Sequence, residues 1–251
     1  MDEVLSALAA QHAELAELIA PLDEAGWRRP TPCDGWDVAD VVVHLTQTDG
    51  LALASVSGDF AAYLDLVAGE LGSATSIDEA ADLMVARARG RPGAAIRDEW
   101  QVSAGALRGA FAAGDLHARV QWVAGELAVA TLATTRLAET WIHAGDVAAA
   151  LGITREPTDR CRHIARLAWR TLPYAFANAE RQLHGPVAFE LRSPTETRWD
   201  FVPDVAPLTI IRGDAVELCR VAARRVDPAE TELQGEGPDA REVLALVRTY
   251  A

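Results

Sequence analysis

From residue 2 to about 22 the apolar positions Leu5, Leu8, Leu15, Ile19 and Leu22 recur in steps of three and four, with His12 filling the gap in the series. That period predicts an amphipathic helix with a bundle-like seam. The prolines and glycines between Gly26 and Trp36 predict a loop. Val38, Val41, Val42, Leu45 and Ala52 then mark a second helix over about 37–57. A third helical region is expected over 77–113, broken at Gly90-Arg91-Pro92-Gly93, and residues 116–123 read as loop. A fourth helix is expected over 125–151, with Gly152 as its C-cap glycine. The texture then changes. Residues 157–183 read as helix, and short strands are expected at 187–192, 197–201 and 208–211. Asp214, with Glu217 three residues on, starts a helix to about 225 in a near capping box. A strand is expected at 231–234, a turn at Gly235-Glu236-Gly237, and a last helix opened by Pro238. The predicted class is α+β: a four-helix bundle over 1–154, then a small α+β domain with its connecting helix over 155–251.

Composition narrows the chemistry. All 23 basic residues of the 251-residue chain are arginine. Lysine Schiff-base chemistry and a phosphate loop with its lysine are therefore excluded. The net charge of −14 is carried almost wholly by residues 1–150, with 22 acids against 9 bases. Such a surface repels phosphate, so neither nucleic acid nor an anionic membrane is an expected partner. Cys33, Cys161 and Cys219 are odd in number, far apart and without a CxxC pair, which signals neither a disulfide framework nor a cysteine zinc site. They are given no role at a site. The acidic start Met1-Asp2-Glu3 lacks the basic region of a signal peptide, and no uncharged apolar run reaches membrane-spanning length. A cytoplasmic protein, monomeric or homodimeric, is expected.

The sharpest local pattern is Glu139-Thr140-Trp141-Ile142-His143 in the fourth helix. Glu139 and His143, at i and i+4, lie on one helical face and can reach one point. Two ligands are too few for a catalytic metal site, and His44 on the second helix is the natural third. The alternative is a polar stripe of Arg136, Glu139, His143 and Asp146 facing water, opposite the apolar Leu137, Trp141, Ala144, Ala148 and Leu151. Periodicity leaves both open. His12 on the seam of the first helix reads as a hydrogen-bonded core histidine, or as a fourth ligand. Asp40 and Asp146 stand where a carboxylate could orient a ligand imidazole, or serve as a cap or surface group. Arg224-Arg225 could bind a substrate carboxylate, or close a solvated helix end.

Two blocks carry a resemblance. They are Trp27 … Pro30-Thr31-Pro32-Cys33-Asp34-Gly35-Trp36-Asp37-Val38-Ala39-Asp40 … His44-Leu45, and Arg136-Leu137-Ala138-Glu139-Thr140-Trp141-Ile142-His143-Ala144-Gly145-Asp146. Together they resemble the DinB-like, mycothiol-dependent maleylpyruvate isomerase family, most closely an uncharacterised actinobacterial branch. The tail resembles that family's sterol-carrier-protein-like α+β domain. The resemblance implies a divalent metal, usually zinc, held by His44, Glu139 and His143. It also implies mycothiol as thiol cosubstrate, a small-molecule substrate, and an arginine, Arg224 or Arg225, lent to the site. The expected function is attack of a metal-bound thiolate on an electrophile, by cis–trans isomerisation or S-transfer. A non-catalytic binding protein is the alternative.

Overall fold

A computed structural model describes residues 3–71, 74, 76–123 and 125–249. It forms two compact units, residues 1–155 and 156–251. In the first unit four long helices, α1 (Glu3–Ile19), α3 (Val38–Ser57), α6 (Gly93–Ala113) and α7 (Val129–Leu151), form a bundle. Both α1 and α3 pack on α6 and on α7. Shorter helices α2 (Glu24–Trp27), α4 (Phe60–Leu71) and α5 (Ile77–Arg87) lie between them in the chain. A two-stranded ladder of β1 (Arg119–Val120) and β2 (Leu127–Ala128) precedes α7.

Local chemistry explains the boundaries. The Asp37 side chain accepts from the Asp40 amide and Asp40 returns the bond, closing a capping box at the start of α3. The break at 90–92 lets α6 begin at Gly93, where a Cβ would stand 2.2 Å from the Trp27 ring. Glycine is required there by this approach. At Gly152 φ is 70°, the left-handed conformation that stops α7. That helix starts at Val129 rather than 125, because Leu127–Ala128 is taken by the ladder. The expected start of α1 at Asp2 lies outside the described residues, and α4 was not anticipated.

The bundle interior holds two apolar clusters. One joins Leu15 and Ile19 to Val38, Val41, Leu45, Trp100, Ala104, Ala144 and Val147. The other joins Val4, Leu8, Ala52, Leu107, Phe111, Val129, Leu132 and Leu137. Gln11 and His12 on α1, and Asp49 on α3, fall between the two sets along their helices and are buried. A polar layer therefore crosses the bundle where four apolar seams would be expected.

The second unit contains α8 (Cys161–Arg170), α9 (Leu172–Asn178), α10 (Ala215–Ala222) and α11 (Ala240–Leu246). Its sheet is formed by β3 (Val187–Arg192), β4 (Arg198–Phe201), β5 (Thr209–Asp214) and β6 (Gln234–Glu236), in the order β4-β3-β5-β6. Only β3 and β5 are parallel. The turn expected at Gly235-Glu236 is thus part of a strand paired with β5. Asp214 caps α10 through the Val216 and Glu217 amides, whereas Glu217 turns away to accept from the Glu232 amide, so the box does not close.

Candidate metal centre

α7 packs on α1 as well as on α3, so both its apolar and its polar stripe turn inward. Arg136, His143 and Asp146 are buried, which removes the reading of a water-facing stripe. Across the α3–α7 contact, His44 Nε2 lies 3.6 Å from Glu139 Oε2, and His143 Nε2 lies 3.6 Å from the same oxygen. The three ligand atoms are all within 4.8 Å of one another. Ligands about 2.1 Å from a tetrahedral ion sit about 3.4 Å apart, so this set fits a divalent cation with little movement. The side chains retain 14%, 17% and 10% exposure respectively, which leaves a side open.

The surroundings prepare these groups. His143 Nδ1 faces Asp146 Oδ2 at 2.9 Å, which holds the ring with Nε2 toward Glu139. Burial alone would lower the His143 pKa, but Asp146, the Cys33 thiol and Glu139 outweigh it and hold the imidazole well above its ordinary value. Burial would raise Glu139, yet His143, His44 and Arg136 hold it well below the usual carboxylate range. Burial lowers His44. The indole of Trp36 lies 5.0 Å from the His44 ring and 6.3 Å from His143, centroid to centroid, and its Nε1 is anchored on Asp82 at 2.7 Å.

Other expected residues are placed differently. Asp146 does orient a ligand imidazole, but Asp40 is occupied by the α3 cap and by Arg89, whose Nη2 lies 2.9 Å from Oδ2. His12 is buried, with Nδ1 2.6 Å from Arg108 Nη1, and is outside the ligand set. Arg224 and Arg225 belong to the second unit, where Arg224 donates to the Ala245 carbonyl and Arg225 to that of Ala223. Sequence reasoning gave Cys33 no part, yet its thiol donates to Asp146 Oδ2 at 3.1 Å and stands 3.9 Å from His143 Nδ1. It placed Arg136 beside Glu139 only on the stripe read as facing water; the residue is buried, with Nη2 3.8 Å from Glu139 Oε2. The available signal was the position of Arg136 one turn before Glu139 on a stripe with almost no other charge.

Comparison with known proteins identifies the family and the fold. Residues 8–148 match the family described as mycothiol maleylpyruvate isomerase N-terminal domain. An uncharacterised protein of Mycobacterium tuberculosis, from strains CDC 1551 and H37Rv alike, is 33% identical over 97% of this chain and 93% of its own. A crystal structure of the mycothiol-dependent maleylpyruvate isomerase superposes with a TM-score of 0.61 at 18% identity, covering 95% of each chain, as does a histidine-to-alanine mutant of it. Among the described residues no helix is long and apolar enough to cross a membrane. The chain belongs to the mycothiol-dependent maleylpyruvate isomerase family.

Proposed function

We propose that this protein is a metal-dependent enzyme that uses mycothiol against a small electrophilic substrate, as a cis–trans isomerase or a thiol S-transferase. The cation is zinc, and His44, Glu139 and His143 hold it. The observation that carries this reading is the convergence of His44 Nε2, Glu139 Oε2 and His143 Nε2 at the partly open side of a buried polar stripe. A bound divalent cation would keep an incoming thiol as thiolate near neutral pH, the form that adds to an activated double bond or displaces a leaving group.

The chain's own residues support that chemistry. Asp146 fixes the tautomer of His143. Trp36 covers both imidazoles and limits water. Cys33 approaches the Nδ1 side of His143, away from the Nε2 that faces Glu139, so an external thiol suits the site better than the protein's own. All three cysteines are thiols, in keeping with a cytoplasmic location.

Metal content of the purified full-length protein tests the reading. Stoichiometric zinc, lost in His44→Ala and in His143→Ala, is expected. A protein without stoichiometric metal, or with content unchanged in both variants, overturns it. Metal retention with no consumption of thiol in the presence of electrophiles would make this a binding protein instead.

A further inference from the structure

On the far side of the His143 ring from Glu139 stands a second group of metal-ligating atoms. Cys33 Sγ, His143 Nδ1 and Asp146 Oδ2 lie within 4.8 Å of one another. Sγ is 3.1 Å from Oδ2, Nδ1 is 2.9 Å from Oδ2, and Sγ is 3.9 Å from Nδ1. On a tetrahedral zinc ion of ordinary bond lengths a nitrogen and an oxygen sit about 3.4 Å apart, and a sulfur about 3.6 Å from either. Each side of the observed triangle is within about 0.5 Å of that arrangement.

Two elements distant in sequence bring these atoms together. His143 and Asp146 are buried on α7, three residues apart. Cys33 comes from the loop between α2 and α3, which crossed hydrogen bonds hold as a turn. The amide and hydroxyl of Thr31 donate to the Trp36 carbonyl, the Trp36 amide donates to the Cys33 carbonyl, and Thr31 Oγ1 accepts from the Cys33 amide. Arg89 Nη2 ties the same turn to the end of α5 through the Gly35 carbonyl, at 2.9 Å. The thiol is the partly exposed member of the group, so a cation can arrive from its side. The donor types select among cations: a thiolate beside an imidazole and one carboxylate favours zinc-like, sulfur-loving metals over magnesium or calcium. The thiolate and the carboxylate together also cancel the charge of a dication, which lowers the cost of holding it in a largely buried place.

We infer that Cys33, His143 through Nδ1, and Asp146 form a second cation site, for a thiophilic divalent metal such as zinc. This goes beyond the proposed function and does not require the first site to be filled. The cation displaces the thiol proton to solvent and takes the place of the proton between Nδ1 and Oδ2. That second proton moves to Nε2 when the first site is empty, and leaves to solvent when it is filled, so that the ring then bridges two cations as imidazolate. Sulfur, nitrogen and oxygen each give a lone pair, and nothing is oxidised or reduced. Because His143 is common to both sites, occupancy of one changes the affinity of the other.

Cobalt(II) is the probe, titrated with air excluded into chelator-treated full-length protein. Sulfur-to-cobalt charge transfer in the near ultraviolet reports a thiolate ligand, and a site of histidine and carboxylate ligands gives none. The wild type should develop this band saturably. In Cys33→Ser the band should be lost and the Kd of that equivalent should rise about tenfold or more. His44→Ala should keep the band while losing the equivalent without a sulfur signal. Cys33→Ala decides the matter if Cys33→Ser does not fold. No band in the wild type at saturation overturns the inference, as does a band that persists without Cys33, which would belong to Cys161 or Cys219. A band lost in His44→Ala overturns it too, since the thiol would then serve the first centre. The two readings fail separately: a sulfur band without a sulfur-free equivalent sinks the first site alone, and the reverse result sinks the second.

Discussion

Charge is handled in opposite ways by the two units. On the sheet of the second unit, Glu190 and Arg212 stand directly opposite each other on parallel strands, with Arg212 Nε 2.8 Å from Glu190 and Nη1 2.8 Å from Glu236. Arg192 and Arg198 are likewise paired with Glu196 and Asp200, and the arginine side chains are 41–66% exposed. In the bundle, Arg136 and Asp49 are buried and carry unpartnered atoms. Exposed pairs in water contribute little either way, whereas unpaired buried charge is costly to keep. The comparison locates function by its expense: the sheet is decorated with charge, and the bundle tolerates it for a reason.

The largest expected effect comes from Glu139→Gln. Removing an anion beside a buried guanidinium should destabilise the metal-free protein by about 4 kcal/mol in denaturant unfolding. A loss under 1 kcal/mol, on the scale of an exposed pair, would break the comparison. Next is Asp49→Asn. The wild-type carboxyl keeps its proton in the fold up to about 7, against an ordinary value near 3.8. Stability from that protonated form is present at low pH and lost as pH rises through 7. The variant should therefore gain on wild type between pH 4 and 8, reaching about 4 kcal/mol. His12 acts in the other sense: held neutral down to about 3, it contributes stability that is lost as pH falls below 6.5. Between pH 4 and 6.5 the two trends oppose each other in the wild type, and Asp49→Asn should expose the rising limb. A difference curve that is flat from pH 4 to 8 would contradict the buried environment of Asp49.

Smaller still is Cys33→Ala, which removes a hydrogen bond to Asp146 and should cost about 1 kcal/mol. The same thiol should react with a maleimide in the native protein, while Cys161 and Cys219, at 1% and 0% exposure, should not. Arg212→Ala on the sheet closes the series, with a change of no more than about 0.5 kcal/mol.

The parts legible in the sequence are those written by local spacing. The i, i+4 pair of Glu139 and His143 and the apolar steps of α1 and α3 are fixed by helical period, and the geometry follows them. Elements without a one-sided pattern were not legible. α4 carries exposed Leu64 and Leu66 with no clear apolar face. All three residues of β6 are exposed, and backbone pairing to β5 alone makes it a strand. The polarity of α7 was ambiguous because a helical wheel assumes one wet side, and this helix has neighbours on both. The approach of Cys33 to Asp146 spans 113 positions, a distance no local rule reaches.

A single oxygen, Asp146 Oδ2, is shared by His143 and the Cys33 thiol. An alkylating reagent that caps the sulfur would strip away one donor and crowd the other, tilting an imidazole without touching it. Inactivation by such reagents would then report a disturbed hinge of hydrogen bonds, and a mechanism assigning the cysteine a nucleophile's part would be drawn from the wrong atom.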